Sequence, residues 1–195
     1  MKRAALVSVA MILLAWSEGT SAQTLLGSDI ESGGYGGPAI RFTTINGDFG
    51  VMFGGQGAWV VGKTFGIGGA AFGVTTEHEL AAPDEYELSF SYGGVLLEYF
   101  IDPDRLTHWH FNLILGAGGV SVGQRGSQSD DDDTVFVIEP SAHLGLNVTN
   151  QLKIGCGIGY RLVRDLKSTM KTDFGLTATD LSGPFLAITL RFGSY

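Results

Sequence analysis

The feature that most limits how this chain can fold is an alternation of apolar and non-apolar residues with a period of two. In LKIGCGIGYRL, from Leu152 to Leu162, one alternate set is apolar or aromatic, and the other holds three glycines, a lysine and an arginine. Successive side chains of a β-strand point to opposite faces, so the stretch predicts a strand with one apolar face. Convincing amphipathic helical spacing is found nowhere in the chain, which predicts an all-β fold.

The three glycines of this stretch also raise the alternative of a nucleotide-binding loop. Gly155, Gly157 and Gly159 form G-x-G-x-G, whereas the dinucleotide fingerprint is G-x-G-x-x-G and leads directly into a helix. The pyrophosphate needs the N-terminus of that helix, and no helical pattern follows here. A strand is therefore favoured, and no cofactor is predicted.

The alternation recurs in eight segments, which predict eight strands. Their approximate bounds are 35–44, 48–61, 65–77, 86–101, 107–125, 134–148, 152–164 and 183–193. Asn46-Gly47 is a type I′ hairpin signal between the first two. Tight turns then alternate with longer polar connections at 78–85, 126–133 and 165–182. Short turns at one rim and long external loops at the other predict an eight-stranded antiparallel up-and-down transmembrane β-barrel.

The N-terminus has the pattern of an export signal. Lys2 and Arg3 precede an apolar run at 4–16, and Thr20-Ser21-Ala22 supplies small residues for cleavage. The run is shorter than the roughly 20 residues that a membrane-spanning helix needs. We therefore predict a signal peptide at 1–22, a short periplasmic segment at 23–34 and an outer-membrane barrel at 35–195.

Charge and cysteine content argue against several classes of function. Without residues 1–22 the chain has 10 basic and 19 acidic residues, a formal charge of −9, which argues against nucleic-acid binding. Cys156 is the only cysteine, so no intramolecular disulfide is possible, and a structural zinc site is not expected. The run Asp130 to Asp133 lacks the ligand spacing of a calcium loop. We interpret it as a solvated external loop that interacts with divalent ions around lipopolysaccharide.

The composition of the two strand faces indicates which one meets lipid. A soluble eight-stranded barrel of the lipocalin kind turns its apolar side chains inward. Here the non-apolar face is rich in glycine, which suits a narrow interior better than a water-facing surface. We therefore predict that the apolar faces, Cys156 included, contact outer-membrane lipid. In segments two to four the apolar set changes face near Gly54-Gly55 and Gly93-Gly94, which predicts bulges there unless the assigned register is wrong.

A polar network is predicted inside the barrel. Buried charges need partners, so Glu98 and Glu139 are expected to pair with inward guanidinium groups. Lys153 lies close to a turn and is expected to be solvated at a rim. Because eight strands leave an interior that side chains just fill, the network would form a plug. Its predicted members are Arg41, Gln56, Glu98, His108, His110, Asn112, Glu139, Ser141, His143, Arg161 and Arg191.

Two groups of interior residues raise the question of catalysis or metal binding. Ser141 and His143 share a face with Glu139, but residues two apart on a strand lie about 7 Å apart, too far for a nucleophile and its base. For the histidines, a turn near residue 130 makes paired residue numbers sum to about 260, which places His110 opposite residue 150. A site of three histidines is therefore not expected, and neither catalytic nor metal-binding residues are predicted.

The combination of these features resembles the small bacterial outer-membrane β-barrels of the outer-membrane protein A and X type. The resemblance rests on the signal peptide, the alternating connections, GGYGGPAIRFTTINGDFGVMFGG and the terminal FLAITLRFGSY, and it covers 35–195. It implies insertion by a barrel-assembly machine that reads a last strand ending in an aromatic residue. Phe192 and Tyr195 look like that signal, and because Gly-Ser-Tyr follows Phe192, which aromatic is read stays open.

The sequence specifies an architecture more closely than an activity. The leading hypothesis is an outer-membrane barrel without enzymatic activity that has a structural or surface-interaction role through its external loops. The expected partners are outer-membrane lipid, lipopolysaccharide and the assembly machinery. The alternatives are a narrow channel or binding barrel for small solutes and, third, a lipid-modifying enzyme.

Overall fold

The computed structural model describes residues 31–45, 47–78, 86–124, 131–164 and 177–195. The predicted signal peptide, and the predicted periplasmic segment up to residue 30, lie outside these residues. No helix in the described part of the chain is long and apolar enough to cross a membrane.

Eight strands form a closed barrel in which each strand pairs with the next along the chain and the last pairs with the first. All pairs are antiparallel, so the predicted fold is confirmed. In the described part of the chain, a short helix, α1 (Ala178–Leu181), precedes the last strand. The strands are β1 (Ser32–Ile45), β2 (Asp48–Val61), β3 (Phe65–His78), β4 (Tyr86–Ile101), β5 (Thr107–Gln124), β6 (Asp131–Asn147), β7 (Leu152–Arg164) and β8 (Gly183–Ser194).

The connections divide the barrel into two rims. The short-turn rim holds the connections at 62–64, 102–106 and 148–151, together with the C-terminal residue. The long-connection rim holds the hairpin at 46–47 and the connections that include 79–85, 125–130 and 165–182. The predicted hairpin is confirmed, because Ile45 pairs with Asp48 and Gly47 has a φ of +84°, a conformation that favours glycine.

The predicted bulges at the two glycine pairs are wrong. β1 pairs with β2 without interruption from Ser32 and Val61 to Ile45 and Asp48. β3 and β4 likewise keep one register from Phe65 opposite Tyr99 to His78 opposite Tyr86. The alternation of faces is therefore continuous, and the chemistry of the inward face is what changes. Large apolar side chains fill the interior beside these strands, including Met52, Val60, Phe72, Val74, Phe90, Leu96 and Phe100.

Proline interrupts two seams of the barrel. In the β1–β8 ladder the pairing passes from Gly36 opposite Phe192 to Ala39 opposite Thr189, and Pro38 lies in the gap. In the β6–β7 ladder it passes from Ile138 opposite Leu162 to Ser141 opposite Gly159, and Pro140 lies in the gap. Proline has no N–H to donate to a ladder, which explains both gaps. Both proline side chains are exposed on the outer wall.

Candidate functional site

The outer wall of the barrel is apolar on every strand. Ile158 is 62% exposed and Leu186 58%, whereas the inward Arg161 is fully buried. This is the reverse of a soluble barrel, and it is the surface that hydrocarbon requires. Cys156 is exposed on this wall, as predicted. Other large exposed apolar residues are Phe49, Phe53, Trp59, Phe65, Ile67, Val95, Leu97, Tyr99, Ile101, Trp109, Phe111, Leu115, Phe136, Leu144, Leu146, Ile154, Tyr160, Ile188, Leu190 and Phe192.

All eleven residues that we predicted for the interior network lie on the inward face. Ser141 is half-buried. The other ten are buried: Arg41, Gln56, Glu98, His108, His110, Asn112, Glu139, His143, Arg161 and Arg191. The structure divides most of them into two ion-paired clusters and adds tyrosines that the sequence analysis did not include.

The first cluster lies toward the long-connection rim and contains Arg41, Tyr92 and Glu139. Arg41 forms an ion pair with Glu139 and donates a hydrogen bond of 2.5 Å to the hydroxyl of Tyr92. That hydroxyl donates in turn to the carboxylate of Glu139. The guanidinium also lies 3.3 Å from the ring centroid of Phe72. Each of the three residues thus has at least one polar partner on another strand, which is the condition for burying charge.

The second cluster lies toward the short-turn rim around Arg191 and Glu98. Nη2 of Arg191 lies 3.0 Å from Oε1 of Glu98 and 2.7 Å from Nε2 of His110. The hydroxyl of Tyr35 donates to Oε2 of the same glutamate at 2.5 Å. Gln56 then donates from Nε2 to the Tyr35 hydroxyl at 3.4 Å. This cluster joins β1, β2, β4, β5 and β8 across the interior.

Lys153 differs from its predicted environment. It lies near the short-turn rim, but only 6% of the residue is exposed. Its Nζ is 3.9 Å from the ring centroid of Tyr195, which also packs against Tyr35 and Phe100 with centroids 5.5 and 5.0 Å apart. The C-terminal aromatic residue therefore covers the lysine, an interaction between distant positions that strand spacing does not reveal.

The structure brings three histidines together, contrary to the prediction. His110 pairs with His143 across β5 and β6, and their rings stack with centroids 4.9 Å apart. The ring of His108 lies 5.8 Å from that of His110. The prediction was wrong because β5 ends at Gln124 and β6 begins at Asp131, which centres the connection before residue 130. No group of three or more His, Cys, Asp or Glu among the described residues could hold a metal ion.

Glycines of β6 and β7 provide the space for these rings. A Cβ added to Gly145 would overlap the imidazole of His108, and one added to Gly157 would overlap that of His143. A Cβ on Gly155 would lie 2.5 Å from Oγ1 of Thr189. The glycine face of LKIGCGIGYRL is therefore a thin inner wall.

The serine and histidine on β6 are closer than strand spacing predicts. Oγ of Ser141 lies 2.9 Å from Nε2 of His143, because the two side chains lean toward each other. The distance argument against a nucleophile and base was therefore wrong. However, Nδ1 of His143 is buried without a hydrogen-bond partner, and Glu139 is held by Arg41 and Tyr92. Among the described residues, no third group therefore orients this imidazole as in a hydrolytic triad.

Arg161 holds α1, a helix that was not predicted from the sequence, against the barrel. Its Nε donates to the carbonyl of Leu181 at 2.8 Å, and the Leu181 side chain is fully buried at the end of α1. Ser182 accepts a hydrogen bond of 2.9 Å from the backbone N–H of Val163. α1 therefore packs into the barrel beside β7 and β1. A capping box between Thr177 and Asp180, a T-x-x-D pattern, was the available sequence signal.

Comparisons with known proteins agree on the fold. No family model matches the chain, and no curated protein is similar to it in sequence. Among solved structures it is similar to Neisserial surface protein A, with 10% identity and a TM-score of 0.54 over 85% of this chain and 97% of that one. It is also similar to Ail, the attachment invasion locus protein of Yersinia pestis, with 14% identity and a TM-score of 0.52 over 83% of this chain and 97% of that one. Ail has also been solved in complex with the heparin analogue sucrose octasulfate.

The resemblance to small outer-membrane barrels is thus confirmed at the level of the fold. A closed barrel of this kind with an apolar outer wall belongs in the bacterial outer membrane. In that membrane the wall contacts hydrocarbon.

Proposed function

We propose that the protein has a closed interior and acts at the cell surface through its external connections. The observation that carries the first part is the presence of two buried ion pairs at different heights, Arg41 with Glu139 and Arg191 with Glu98. Opening a water path past them would require these side chains to separate inside a narrow wall. An eight-stranded barrel leaves little space beyond what its side chains fill.

Planar-bilayer conductance tests the closed interior. The purified protein is expected to give no stable single-channel openings. As a matched variant, replacing Arg41, Glu139, Arg191 and Glu98 by alanine removes both ion pairs and is expected to allow small conductances. Stable openings from the unaltered protein would overturn the proposal in favour of a narrow channel for small solutes.

The external connections have the charge of a surface that attracts cations. By sequence, the connections at 79–85, 125–130 and 165–182 hold seven acidic and three basic residues. Ail has been solved with a polyanionic heparin analogue, whereas like charges would disfavour such a ligand here. We therefore favour a basic partner, or divalent cations that bridge the acidic connections to lipopolysaccharide.

Binding by the whole protein in lipid nanodiscs tests this charge preference. Polylysine is expected to bind at low ionic strength and to be released near 1 M salt, where the screening length falls to about 3 Å. Heparin is the matched polyanion and is expected not to bind. Heparin binding that exceeds polylysine binding would contradict the proposed partner class.

We also propose that the Ser141–His143 pair is structural and that the protein is not a hydrolase. What supports this is the inward orientation of the pair and the absence of a partner on Nδ1 of His143. Lipid A masses are expected to be the same in cells that express the protein and in cells that express Ser141→Ala. Deacylated lipid A that disappears with the Ser141→Ala variant would establish the enzyme instead.

For assembly, we propose that Phe192 is the aromatic residue that the assembly machinery reads. Phe192 is 54% exposed on the wall, whereas Tyr195 packs inside against Tyr35 and Phe100. Phe192→Ala is expected to lower the amount of folded barrel in cells while refolding in detergent stays normal. Tyr195→Ala is expected to weaken the refolded barrel itself. The reverse pattern would assign the signal to Tyr195.

A further inference from the structure

Two positive charges face each other inside the barrel near the short-turn rim. Lys153 of β7 and Arg191 of β8 are Cα partners in the β7–β8 ladder. Both are on the inward face, where only 6% of Lys153 and 2% of Arg191 is exposed. Like charges directly opposite each other on neighbouring strands destabilise a sheet, and burial strengthens their repulsion. The two residues therefore need compensating negative charge.

Among the described residues, one carboxylate forms an ion pair with these two cations. Glu98 contacts Nη2 of Arg191, and the same nitrogen lies against Nε2 of His110. Nε and Nη1 of this guanidinium are buried without a hydrogen-bond partner. A buried donor that makes no hydrogen bond is costly. The free side of Arg191 is therefore available to a further acceptor.

Lys153 lacks a carboxylate partner altogether in the described part of the chain. Neither an ion pair nor a hydrogen bond joins its Nζ to another described residue, and the ammonium lies 3.9 Å from the ring centroid of Tyr195. Asp104, in the turn at 102–106 of the same rim, is paired with Lys63. An aromatic face offsets only part of the cost of removing an ammonium group from water.

Arg161 shows what is missing at Lys153. It is also an inward cation without an ion pair among the described residues, and it is fully buried. Its three nitrogens, however, donate to the carbonyl of Leu181, the sulfur of Met52 and the hydroxyl of Thr43. Acceptors from the protein thus surround Arg161, whereas the donors of Lys153 have none.

We propose that the short-turn end of the interior is a binding site for a small oxyanion of the phosphate or sulfate class, bound by the ammonium of Lys153 and the free Nη1 of Arg191. The ammonium has three N–H donors and Nη1 has two, and a tetrahedral oxyanion has enough oxygens to accept from both. Because Lys153 is the second residue of β7, the ion enters from this rim. The site is at the opposite end from the long connections and is independent of the partner proposed for them.

Equilibrium dialysis of the folded protein in a non-ionic detergent tests the site, with radiolabelled inorganic phosphate as the probe. Lys153→Met removes the ammonium and keeps an unbranched side chain against Tyr195. The matched control is Lys63→Met, which removes a more exposed lysine of the same rim. Each variant is first checked for the heat-dependent gel shift of a folded barrel, so that a folding failure is recognised.

The unaltered protein and Lys63→Met are expected to bind phosphate saturably, with one ion per barrel. Lys153→Met is expected to bind it about tenfold more weakly, the size of effect expected for a lost charge-assisted hydrogen bond. Equal binding by Lys153→Met and the unaltered protein would overturn the proposal. So would the absence of saturable binding to the unaltered protein, because water alone would then meet the free donors.

A second variant and a competition experiment separate this site from general counter-ion attraction. Arg191→Lys keeps a positive charge beside Glu98 but removes Nη1, so it is expected to weaken phosphate binding even if Lys153→Met does not fold. Sulfate is expected to compete with phosphate, whereas chloride at the same ionic strength is not, since chloride has less charge and no separate acceptor oxygens. Unchanged binding by Arg191→Lys, or displacement by chloride as complete as by sulfate, would contradict the proposed site.

Discussion

β4 and β7 fill the barrel in opposite ways. The inward face of β4 supplies bulk through Phe90, Tyr92, Leu96 and Phe100. The inward face of β7 has glycine at 155, 157 and 159, between Lys153 and Arg161. A narrow closed interior has a fixed volume, so large side chains on some strands require small ones on others. The apparent change of face in β4 is therefore a difference in the volume of the inward side chains. β4 supplies large ones and β7 supplies small ones.

The two kinds of strand are joined by ion pairs, which gives the largest expected effect. Glu98→Ala leaves Arg191 buried without its carboxylate and is expected to lower the free energy of unfolding by about 3–5 kcal/mol. Urea unfolding in detergent micelles, followed by the fluorescence of Trp59 and Trp109, measures it. Glu98→Leu with Arg191→Met removes both charges and is expected to recover most of the loss. A single variant as stable as the unaltered protein would mean that water reaches this cluster.

The role of the large inward side chains of β4 is tested by two adjacent residues of that strand that face opposite ways. Leu96 is fully buried and Leu97 is 38% exposed on the wall. Leu96→Ala is expected to leave a cavity and to cost about 3 kcal/mol of unfolding free energy. Leu97→Ala is expected to cost clearly less in the same urea titration, because its side chain leaves only a lipid-facing surface. Equal losses would break the contrast between interior and wall.

The role of the inward glycines of β7 is tested by two adjacent residues of that strand. Gly157→Leu would overlap the imidazole of His143 and is expected to destabilise the barrel by about 2 kcal/mol. Cys156→Val changes an exposed wall residue and is expected to stay within about 0.5 kcal/mol. The yield of heat-modifiable barrel after refolding gives a second measurement. If the valine variant failed and the leucine variant refolded, the strand would be inside out.

The smallest effect is expected at the short-turn rim, outside both regions. Lys63 has its Nζ 2.8 Å from Glu31 and 3.1 Å from Asp104, and these hydrogen bonds raise its pKa. Because the raised pKa belongs to the folded state, the pair stabilises below the unfolded lysine value near 10.4 and is lost as pH rises further. Urea midpoints of the unaltered protein and Lys63→Met are therefore expected to differ by the same small amount from pH 6 to 9. A difference that changes within this range would contradict the assignment.

Sequence periodicity was sufficient for the strands and the rims. β2, β4 and β7 begin and end where the alternation predicted, because one face of each strand meets lipid and must stay apolar. The inward residues followed from the same alternation. Periodicity failed where both faces are apolar, as in β4, because hydrophobicity alone then does not distinguish lipid from the interior.

Contacts across the barrel did not follow from spacing. The pairing of His110 with His143 depends on which residue lies at the centre of the connection between β5 and β6. A small error in the predicted centre moved the predicted partner of His110 by seven positions. Ser141 and His143 approach through side-chain torsions that Cα spacing does not record. Tyr35 and Tyr92 were not predicted as members of the network. Tyrosine suits both a lipid-facing wall and a polar interior, so its presence in a strand does not indicate which side it faces.

By itself the sequence determined an eight-stranded barrel with an apolar wall, because the period of two and the solvent preference of each face are local properties of the chain. Only the tertiary structure decided which interior charges pair, which glycines admit which rings, that α1 packs against Arg161, and that the β6–β7 ladder is interrupted at Pro140. Closure of the barrel brings residues as far apart as Arg191 and Glu98 within 3.0 Å. That juxtaposition depends on register and closure together, which no short window of the sequence contains.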